Sequence, residues 1–173
     1  LRLANRLVGN PPDAPALEIT LGGLHLAVHD AATVALTGAV CPGLGHAVAV
    51  TLPAGARVRL GTPALGLRSY LAVRGGLDVA AVLGSASTDT LSGLGPAPLR
   101  AGDRLSVGAP AGAEVSGVTV VPPRPSAPLR IVPGPRADWF TDTAFDVLLG
   151  APWTVRADSD RIGVRMDGPS LPR

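Results

Sequence analysis

Glycine and proline interrupt this chain more often than a helical architecture tolerates. The 173 residues include 22 glycines and 18 prolines, which together occupy 40 positions. Because both residues weaken a helix interior, few uninterrupted windows remain for a period of 3.6 residues. The sequence therefore excludes a coiled coil and a helical bundle. Short apolar runs separated by Gly, Pro and Asp, at a spacing of about 8 to 12 residues, instead predict a mainly β protein.

Ten short apolar runs are candidate strands. In the runs 57–60 and 163–166, arginine and apolar residues fall on opposite faces of a period-2 pattern, as a half-buried strand requires. Several such strands, joined by turns, are typical of an all-β barrel or sandwich. The ten runs are 17–21, 24–28, 34–37, 47–51, 57–60, 69–73, 104–107, 129–132, 153–156 and 163–166.

Two helices are expected in addition to the strands. Apolar residues between Leu1 and Val8 share one helical face, and Gly9 follows as a left-handed cap. A second helix is predicted over 138–149, with Asp138 as its N-cap and Gly150 after its end.

A proline-rich segment divides the sequence. Residues 121–128 contain four prolines, which favour a stiff, extended linker. The predicted domains are therefore 1–120, incomplete at its N-terminus, and 129–173, which is part of a second domain. Because the chain opens inside a helical pattern and closes just after a strand-like run, we expect a piece of a longer protein.

Composition excludes several functions. All 15 basic residues are arginine, and charges of both signs are interspersed along the chain, with a formal net charge of +2. The lack of a basic stripe with interleaved aromatic side chains argues against nucleic acid as a partner. Without lysine, the chain supplies no Schiff base, no P-loop lysine and no biotinyl-lysine. No apolar stretch is long enough to predict a membrane span, and the single Cys41 favours a reducing, cytoplasmic location.

The segment 66–76 and the loops after it are the densest candidate for an anion site. Arg68 and Arg74 are able to grip a carboxylate or phosphate with paired donors, and small residues nearby expose backbone N–H groups. Ser85, Ser87 and Thr88 add hydroxyl donors. The alternative interpretation is that these Gly, Ser and Thr residues only form turns.

The other polar residues give weaker evidence for a functional site. His25 and His29 share one face of a strand without a third ligand, so no metal site is predicted. A serine triad would need His46 to meet Asp89 and a loop serine without a nucleophile elbow. Cys41 is interpreted as a packing residue. The cluster 158–165 either holds itself in a turn or presents a charged site.

At these residues the chain resembles the family of the 5-oxoprolinase C subunit. This family is also known as allophanate hydrolase subunit 2 or the biotin-dependent carboxyltransferase-domain family, and it includes the antagonist of a sporulation-kinase inhibitor. The agreement runs in order along nearly the whole chain. It comprises 3–10, 17–18, 35–39, 68–76, 83–89, 102–103, 134–135 and 159–165.

The resemblance implies cyclophilin-like β-barrel domains in a subunit that works with a homologous B subunit and an A subunit. It implies a hydrolase of non-peptide C–N bonds, converting 5-oxoproline to glutamate with ATP and magnesium at the level of the complex. Two alternatives follow from the same family: the carboxyltransferase component of a biotin-dependent urea-type carboxylase, and a non-enzymatic regulator of the B subunit. A family name alone does not choose among them.

The resemblance also guides the choice of site residues. Asp89 and Arg161 are the predicted catalytic residues, Asp89 as a base or polariser and Arg161 as an anion contact. The predicted substrate-binding residues are Arg68, Tyr70, Ser85, Thr88 and Arg165.

Compared with the family pattern, the chain lacks an N-terminal Gln-Asp-Gly-Arg motif and a C-terminal glycine-rich loop. It is also shorter between Ala39 and Pro53. Functional residues are expected in those segments as well.

Overall fold

The computed structural model describes residues 1–110, 128–156, 158–160 and 162–173. It separates into two units, Leu1–Pro125 and Ser126–Arg173. Most of the predicted linker 121–128 lies outside the described residues. Within the described ranges, strands outnumber helices, so the expected mainly β class with a few short helices is confirmed.

The first unit contains one helix and six strands in its described part. Each strand overlaps a run predicted from alternating or apolar sequence, and the helix precedes all of them. The bounds are Arg2–Leu7 for α1, Leu17–Thr20 for β1, His25–Ala27 for β2, Ala32–Gly38 for β3, Ala49–Leu52 for β4, Arg57–Arg59 for β5 and Arg68–Val73 for β6.

These strands form two antiparallel sheets. One has four strands in the order β1-β6-β3-β4, and the other is the two-stranded ribbon of β2 and β5. The central pair β3 and β6 has a continuous register, from Val34 opposite Val73 to Gly38 opposite Ser69. Both central strands are largely buried, because β1 and β4 occupy the edges.

The main apolar core lies between the four-stranded sheet and the ribbon. Leu36 and Leu71 pair across β3 and β6 and are almost completely buried. Val58 and Leu60 contribute from the ribbon side. Each large side chain buried in this way contributes about 1.5–3 kcal/mol to stability.

Helix α1 covers the opposite face of the same sheet. Its Ala4, Leu7 and Val8 pack against Ala35 of β3 and Ala72 of β6. Because the two sheet positions are alanines, the helix approaches the strands closely. The four-stranded sheet is therefore covered on one face by the ribbon and on the other by α1.

The end of α1 has the predicted glycine cap. Gly9 has a φ of +73°, and its N–H donates to the carbonyl of Arg6 at 3.1 Å. The N–H of Asn10 donates to the carbonyl of Asn5 at 2.9 Å. These two bonds form a Schellman motif, which satisfies carbonyls that the helix itself leaves without donors.

Two buried asparagines anchor this helix end. Asn5 is fully buried and donates through Nδ2 to the carbonyl of Ala14 at 2.7 Å. Asn10 donates to the carbonyl of Val73 at 2.7 Å and to Asn5 Oδ1 at 3.2 Å, and its Oδ1 accepts from the N–H of Gly75 at 2.8 Å. The side chain of Asn10 therefore fastens the end of α1 to the end of β6.

The second unit has few described elements. They are a 3-10 turn over Ala137–Trp139, helix α2 over Asp142–Gly150, and a strand pair, β7 over Thr154–Val155 and β8 over Met166–Asp167. Among its described residues, only Ala144 is a buried apolar side chain. In neither unit does a described helix have the length and hydropathy to cross a bilayer.

Two strand predictions were wrong, and a third was displaced: of the run 163–166 only Met166 lies in a strand, β8, and Val164 is 63% exposed where a half-buried position was expected. Residues 129–132 form no strand, and Leu129 and Val132 are 89% and 88% exposed, because no described strand pairs with them. In 104–107, only Val107 pairs, through an isolated bridge to Leu77. A short apolar run predicts a strand only where tertiary structure supplies a neighbouring strand.

The predicted start of the second helix was also wrong. Asp138 lies in the 3-10 turn Ala137–Trp139 and does not cap α2. Phe140 then has extended backbone, with φ −118° and ψ 150°, which interrupts any continuous helix. The helix begins at Asp142 after Thr141, whose backbone is extended, as is usual for an N-cap residue.

Candidate functional site

The side chains of strand β6 point alternately to the core face of the sheet and to the face covered by α1. Ser69 and Leu71 lie on the core side and are buried. Arg68, Tyr70 and Ala72 alternate with them and lie on the α1 side. Ala72 is buried under the helix, and the partly buried Tyr70 lies beside it. Arg68 is thus the residue of this face farthest from the helix along β6.

A polar patch continues the α1 face on the neighbouring strands. Tyr70 lies directly opposite Glu18 of β1 and Thr37 of β3. Residues that are directly opposed in a sheet share a face. The polar patch therefore consists of Glu18, Thr37, Arg68 and Tyr70, and it contains two of the predicted substrate-binding residues.

Arg68 and Glu18 form the ion pair of this patch. Arg68 Nε lies 3.2 Å from Glu18 Oε1, and the two side chains are 23% and 26% exposed. Nε itself is shielded from solvent, and its N–H makes no aligned hydrogen bond within the described structure. The pair therefore orients the guanidinium by charge attraction.

The backbone beneath Arg68 is held from the core side. Ser69 Oγ donates to the carbonyl of Ala39 at 2.7 Å and lies 3.3 Å from the sulfur of Cys41, which is buried as predicted for a packing residue. Gly38 has a φ of +90°, and a Cβ there would collide with the carbonyl oxygen of Arg68. These contacts fix the backbone of Arg68 and Ser69.

The histidines lie in separate places. His46 Nε2 is 3.0 Å from the carbonyl oxygen of Gly38. His25 is exposed on β2 opposite Arg59, and His29 follows that strand. No group of three His, Cys, Asp or Glu side chains in the described ranges is placed to hold a metal ion.

The predicted hydroxyl donors belong to the loop after β6. Thr88 Oγ1 donates to the carbonyl of Pro96 at 2.6 Å. Ser85 Oγ accepts from the N–H of Ser87 at 3.1 Å. Both hydroxyls therefore stabilise the loop, and Ser85 remains exposed at its surface.

Asp89 organises the same loop. Its Oδ1 accepts from the N–H of Leu91 at 3.0 Å, and its Oδ2 accepts from Ser92 Oγ at 2.8 Å. This is the geometry of an Asx turn. A role for Asp89 as base or polariser would require these local bonds to be exchanged for bonds to a substrate.

Arg74, the other arginine of the 66–76 segment, has a different environment. Its Nη1 donates to the carbonyl of Val8 at the end of α1, at 3.0 Å. Its backbone N–H donates to the carbonyl of Thr33 at 2.8 Å. A cation on the last carbonyls of a helix is stabilising. The structure thus assigns a helix-capping contact to Arg74 and leaves the polar patch to Arg68.

In the second unit the predicted charged cluster forms a turn. Arg156 binds Asp158 through two parallel hydrogen bonds, Nε to Oδ1 at 3.0 Å and Nη2 to Oδ2 at 3.2 Å. Arg165 donates to the carbonyl of Asp158 at 2.6 Å and lies 3.8 Å from Asp160 Oδ2. The charges therefore hold one another in place. Arg161, predicted to be catalytic, lies outside the described residues.

The ion pair in this turn leads to a testable prediction about the pKa of Asp158. The paired hydrogen bonds from Arg156 hold the pKa of Asp158 below its ordinary value. Because the pKa is lower in the folded chain, the stabilising contribution is complete above the unfolded-chain pKa and disappears as the pH falls through the folded-chain pKa. Carboxyl-carbon NMR titration of the full chain is expected to show this lowered pKa.

Two variants control that titration. Arg156→Ala is expected to move the midpoint of Asp158 upward, towards an ordinary carboxyl. Arg136→Ala removes an arginine that stacks over Trp139 and is expected to leave the midpoint unchanged. Identical Asp158 midpoints in the original chain and in Arg156→Ala would show that the pair does not form in solution.

Comparison with known proteins decides the family. Residues 1–173 match the family described as carboxyltransferase domain, subdomain A and B. The chain belongs to this carboxyltransferase domain family. The match extends over both units, and the resemblance predicted from the sequence is confirmed.

Named relatives of this carboxyltransferase domain come from two groups of enzymes. It is 40% identical over 182 residues to the 5-oxoprolinase C subunit of Escherichia coli K12, an alignment that covers all of this chain and 59% of the relative. It is 33% identical over 193 residues to urea amidolyase of Saccharomyces cerevisiae, covering 97% of this chain and 10% of the relative. The chain thus spans about three fifths of the length of the first relative and a tenth of the second.

Solved structures of similar fold agree with this assignment. The crystal structure of TTHA0988 has a TM-score of 0.80 at 38% identity and covers 99% of this chain and 66% of that one. The urea amidolyase of K. lactis has a TM-score of 0.76 at 29% identity, covering 99% of this chain and 12% of that one.

Sequence reasoning missed several residues that build the patch and its support. Asn5 and Asn10 enter only as part of the resembling segment 3–10, although an amide among the apolar residues of an amphipathic helix is a signal for a buried hydrogen bond. Glu18 was noted only as part of the family resemblance. Its pairing with Arg68 depends on the register of β1 against β6, which the sequence does not specify.

Proposed function

We propose that this carboxyltransferase domain is part of a non-autonomous subunit of an ATP-dependent 5-oxoprolinase. That enzyme hydrolyses the lactam of 5-oxoproline to give glutamate. The observation that carries the proposal is the 40% identity to the 5-oxoprolinase C subunit of E. coli over the whole chain. The polar patch supports it, because it offers an arginine and a tyrosine to a small carboxylate beside the covering helix.

Within the proposal, Arg68 binds the substrate carboxylate. A guanidinium presents a planar fork of donors that matches a carboxylate with two parallel bonds. The negative charge of Glu18, which lies 3.2 Å from Arg68 Nε, orients the guanidinium before the substrate binds. Tyr70, in the same patch and partly buried, then orients the ring of the substrate.

The remaining predicted residues have supporting roles in the proposal. Ser85 and Thr88 supply hydroxyl contacts from the loop after β6, and Asp89 polarises or deprotonates the attacking group. Arg161 and Arg165 add cationic contacts from the second unit. For Asp89, Ser85 and Thr88 this requires that hydrogen bonds within the loop rearrange on binding.

The described residues do not fit a nucleotide site on this chain. The sequence has no lysine to reach a phosphate, and the described ranges hold no cluster of three metal-binding side chains. In the proposal, ATP and its magnesium bind at the level of the complex. The residues of this chain would bind and orient the substrate, and ATP would supply the phosphoryl group that activates the lactam elsewhere in the complex.

The partners in this proposal are a homologous B subunit and the A subunit, assembled as a hetero-oligomer in the cytoplasm. We further propose that the two units are parts of cyclophilin-like β-barrel domains. The similarity to TTHA0988 at a TM-score of 0.80 supports a shared fold. The open four-stranded sheet and its ribbon would then be segments of one barrel wall.

Reconstitution tests the proposed function. The full chain, its B subunit and its A subunit are mixed with ATP and 5-oxoproline, and glutamate and ADP are measured. We expect glutamate from the complete set and none when this chain is left out. Glutamate formation at the same rate without this chain, or none from the complete set, would refute the proposal.

A second function is favoured by the urea amidolyase relatives and by the description of the family. In this alternative the chain is a carboxyltransferase component that transfers a carboxyl group from carboxybiotin to urea. Because these 173 residues contain no lysine, the biotin would be attached outside them. Co-purification of a biotinylated carrier and urea-dependent carboxylation would distinguish this function from 5-oxoproline hydrolysis.

A further inference from the structure

One buried hydroxyl of the polar patch has no hydrogen-bond partner among the residues that the structure describes. Thr37 lies on β3 and is 3% exposed, and its Oγ1 makes no hydrogen bond to any described residue. Among the unpartnered side-chain atoms of the described residues, Arg68 Nε alone is shielded from solvent, so Thr37 Oγ1 keeps a small opening to the outside. Side-chain polar atoms this deeply placed are nearly always hydrogen-bonded, and an exception needs an explanation.

The position of Thr37 places this hydroxyl beside the predicted substrate-binding residues. Ala35, two residues earlier on β3, packs against α1, so Thr37 lies on the α1 face as well. Tyr70 is directly opposite Thr37, and Arg68 is its diagonal neighbour on β6. Diagonal neighbours of an antiparallel pair are about 7–8 Å apart, within reach of a long side chain. The hydroxyl and the guanidinium therefore border the same part of the patch.

The backbone around Thr37 is held from the other side of β3. The carbonyl of Leu36 accepts from the N–H of Ala47 at 2.7 Å. His46 Nε2 lies 3.0 Å from the carbonyl oxygen of Gly38. These contacts fix the strand before and after Thr37, and the side chain of a β-branched residue has few rotamers. A hydroxyl held in this way binds a ligand with little loss of conformational entropy.

A hydroxyl without a protein partner is costly at this position. Valine has nearly the same shape as threonine and also favours a strand, and it would bury no polar group. The partner of Thr37 Oγ1 must therefore come from the open side of the patch. Water fills this role in the free chain, and a polar atom of the ligand replaces the water in the complex.

We infer that Thr37 binds the lactam amide of the substrate whose carboxylate Arg68 binds. A hydroxyl both donates and accepts, so it suits the carbonyl or the N–H of a lactam, whereas the guanidinium suits the carboxylate. The ligand class is a small cyclic amide that carries a carboxylate. The inference rests on the proposed function, and it specifies how the patch distinguishes 5-oxoproline from a carboxylate without an amide.

Binding of two ligands to Thr37→Val tests the inference. The complete complex is assembled without ATP, and Kd is measured for 5-oxoproline and for cyclopentanecarboxylate, which has the ring and the carboxylate but no amide. Thr37→Val is expected to raise the Kd of 5-oxoproline about tenfold, as loss of a hydrogen bond to the ligand does. The Kd of cyclopentanecarboxylate should stay within about twofold. Arg68→Ala should weaken the binding of both ligands.

Two further variants are the controls. Thr37→Ser keeps the hydroxyl and should keep the Kd of 5-oxoproline within about threefold of the original. Thr33→Val removes a hydroxyl from the same strand that is already paired with Thr51, at 3.2 Å, and should leave the Kd of both ligands unchanged. The melting temperature of Thr37→Val should not fall, because its shape is retained and a buried hydroxyl is removed.

Several outcomes would overturn the inference. They are an unchanged Kd of 5-oxoproline in Thr37→Val, an equal loss for both ligands, an equal loss in Thr37→Ser or Thr33→Val, or no binding of 5-oxoproline to the original complex. The proposed function is measured separately by glutamate release. Binding that depends on Thr37 without any release of glutamate would leave the contact standing and refute the proposed activity. Glutamate release with an unchanged Kd in Thr37→Val would refute the contact alone.

Discussion

Replacing Arg68 with alanine is expected to lower kcat/KM of the reconstituted 5-oxoprolinase about a hundredfold. Loss of a charge-assisted, two-bond contact to a carboxylate removes about 2.7 kcal/mol of binding, and that energy corresponds to this factor. Most of the loss should appear in KM, because the carboxylate does not change in the reaction and is bound equally in the ground and transition states. The measurement is glutamate release at several 5-oxoproline concentrations.

Two further variants give this prediction its controls. Arg68→Lys keeps the charge but loses the planar fork, so it should recover part of the lost kcat/KM. Arg57→Ala removes an exposed arginine from β5 on the ribbon and should leave kcat/KM within about twofold. A kcat/KM for Arg68→Ala within about threefold of the original would show that the polar patch does not bind the substrate.

Replacing Asn10 with alanine is expected to reduce the free energy of unfolding by about 3 kcal/mol. The substitution leaves the carbonyl of Val73 and the N–H of Gly75 without their buried partners, at positions where the bonds are 2.7 and 2.8 Å. Each buried polar group left unsatisfied costs about 1–3 kcal/mol. Urea unfolding of the full chain, followed by circular dichroism, measures the change.

The matched control removes an exposed hydrogen bond between side chains. Thr33→Ala breaks the 3.2 Å contact to Thr51 on the β3–β4 pair. Exposed hydrogen bonds of this type contribute little to stability. The change in the free energy of unfolding should therefore stay below about 0.5 kcal/mol. If Asn10→Ala cost less than about 1 kcal/mol, water would be able to replace the asparagine, and the fastening of α1 to β6 would not depend on it.

Local patterns predicted much of the first unit. Alternation in 57–60 corresponds to β5, which buries one face, and the apolar run 69–73 corresponds to β6, which is covered on both faces. The cap at Gly9 was predictable because a left-handed residue after an apolar helical face has a purely local cause.

Features that depend on distant residues were not predictable. The run 129–132 is as apolar as a strand, yet it forms none, because pairing depends on a neighbour that the sequence does not reveal. The proximity of Glu18 to Arg68 and the contacts of Asn10 depend on how β1, β6 and α1 pack. Residues this far apart in the sequence meet only once the sheet has its register.

Arginine side-chain NMR tests the central claim most directly. With 15N-labelled chain in the complete complex, the Nε–H signal of Arg68 is assigned by its loss in Arg68→Lys and followed as 5-oxoproline is added. We predict a saturable shift of this signal, with the signal of Arg57 unchanged, because a carboxylate bound by the guanidinium changes the charge distribution around Nε, which lies beside Glu18. An unmoved Arg68 signal while the same sample hydrolyses 5-oxoproline would contradict the proposed site.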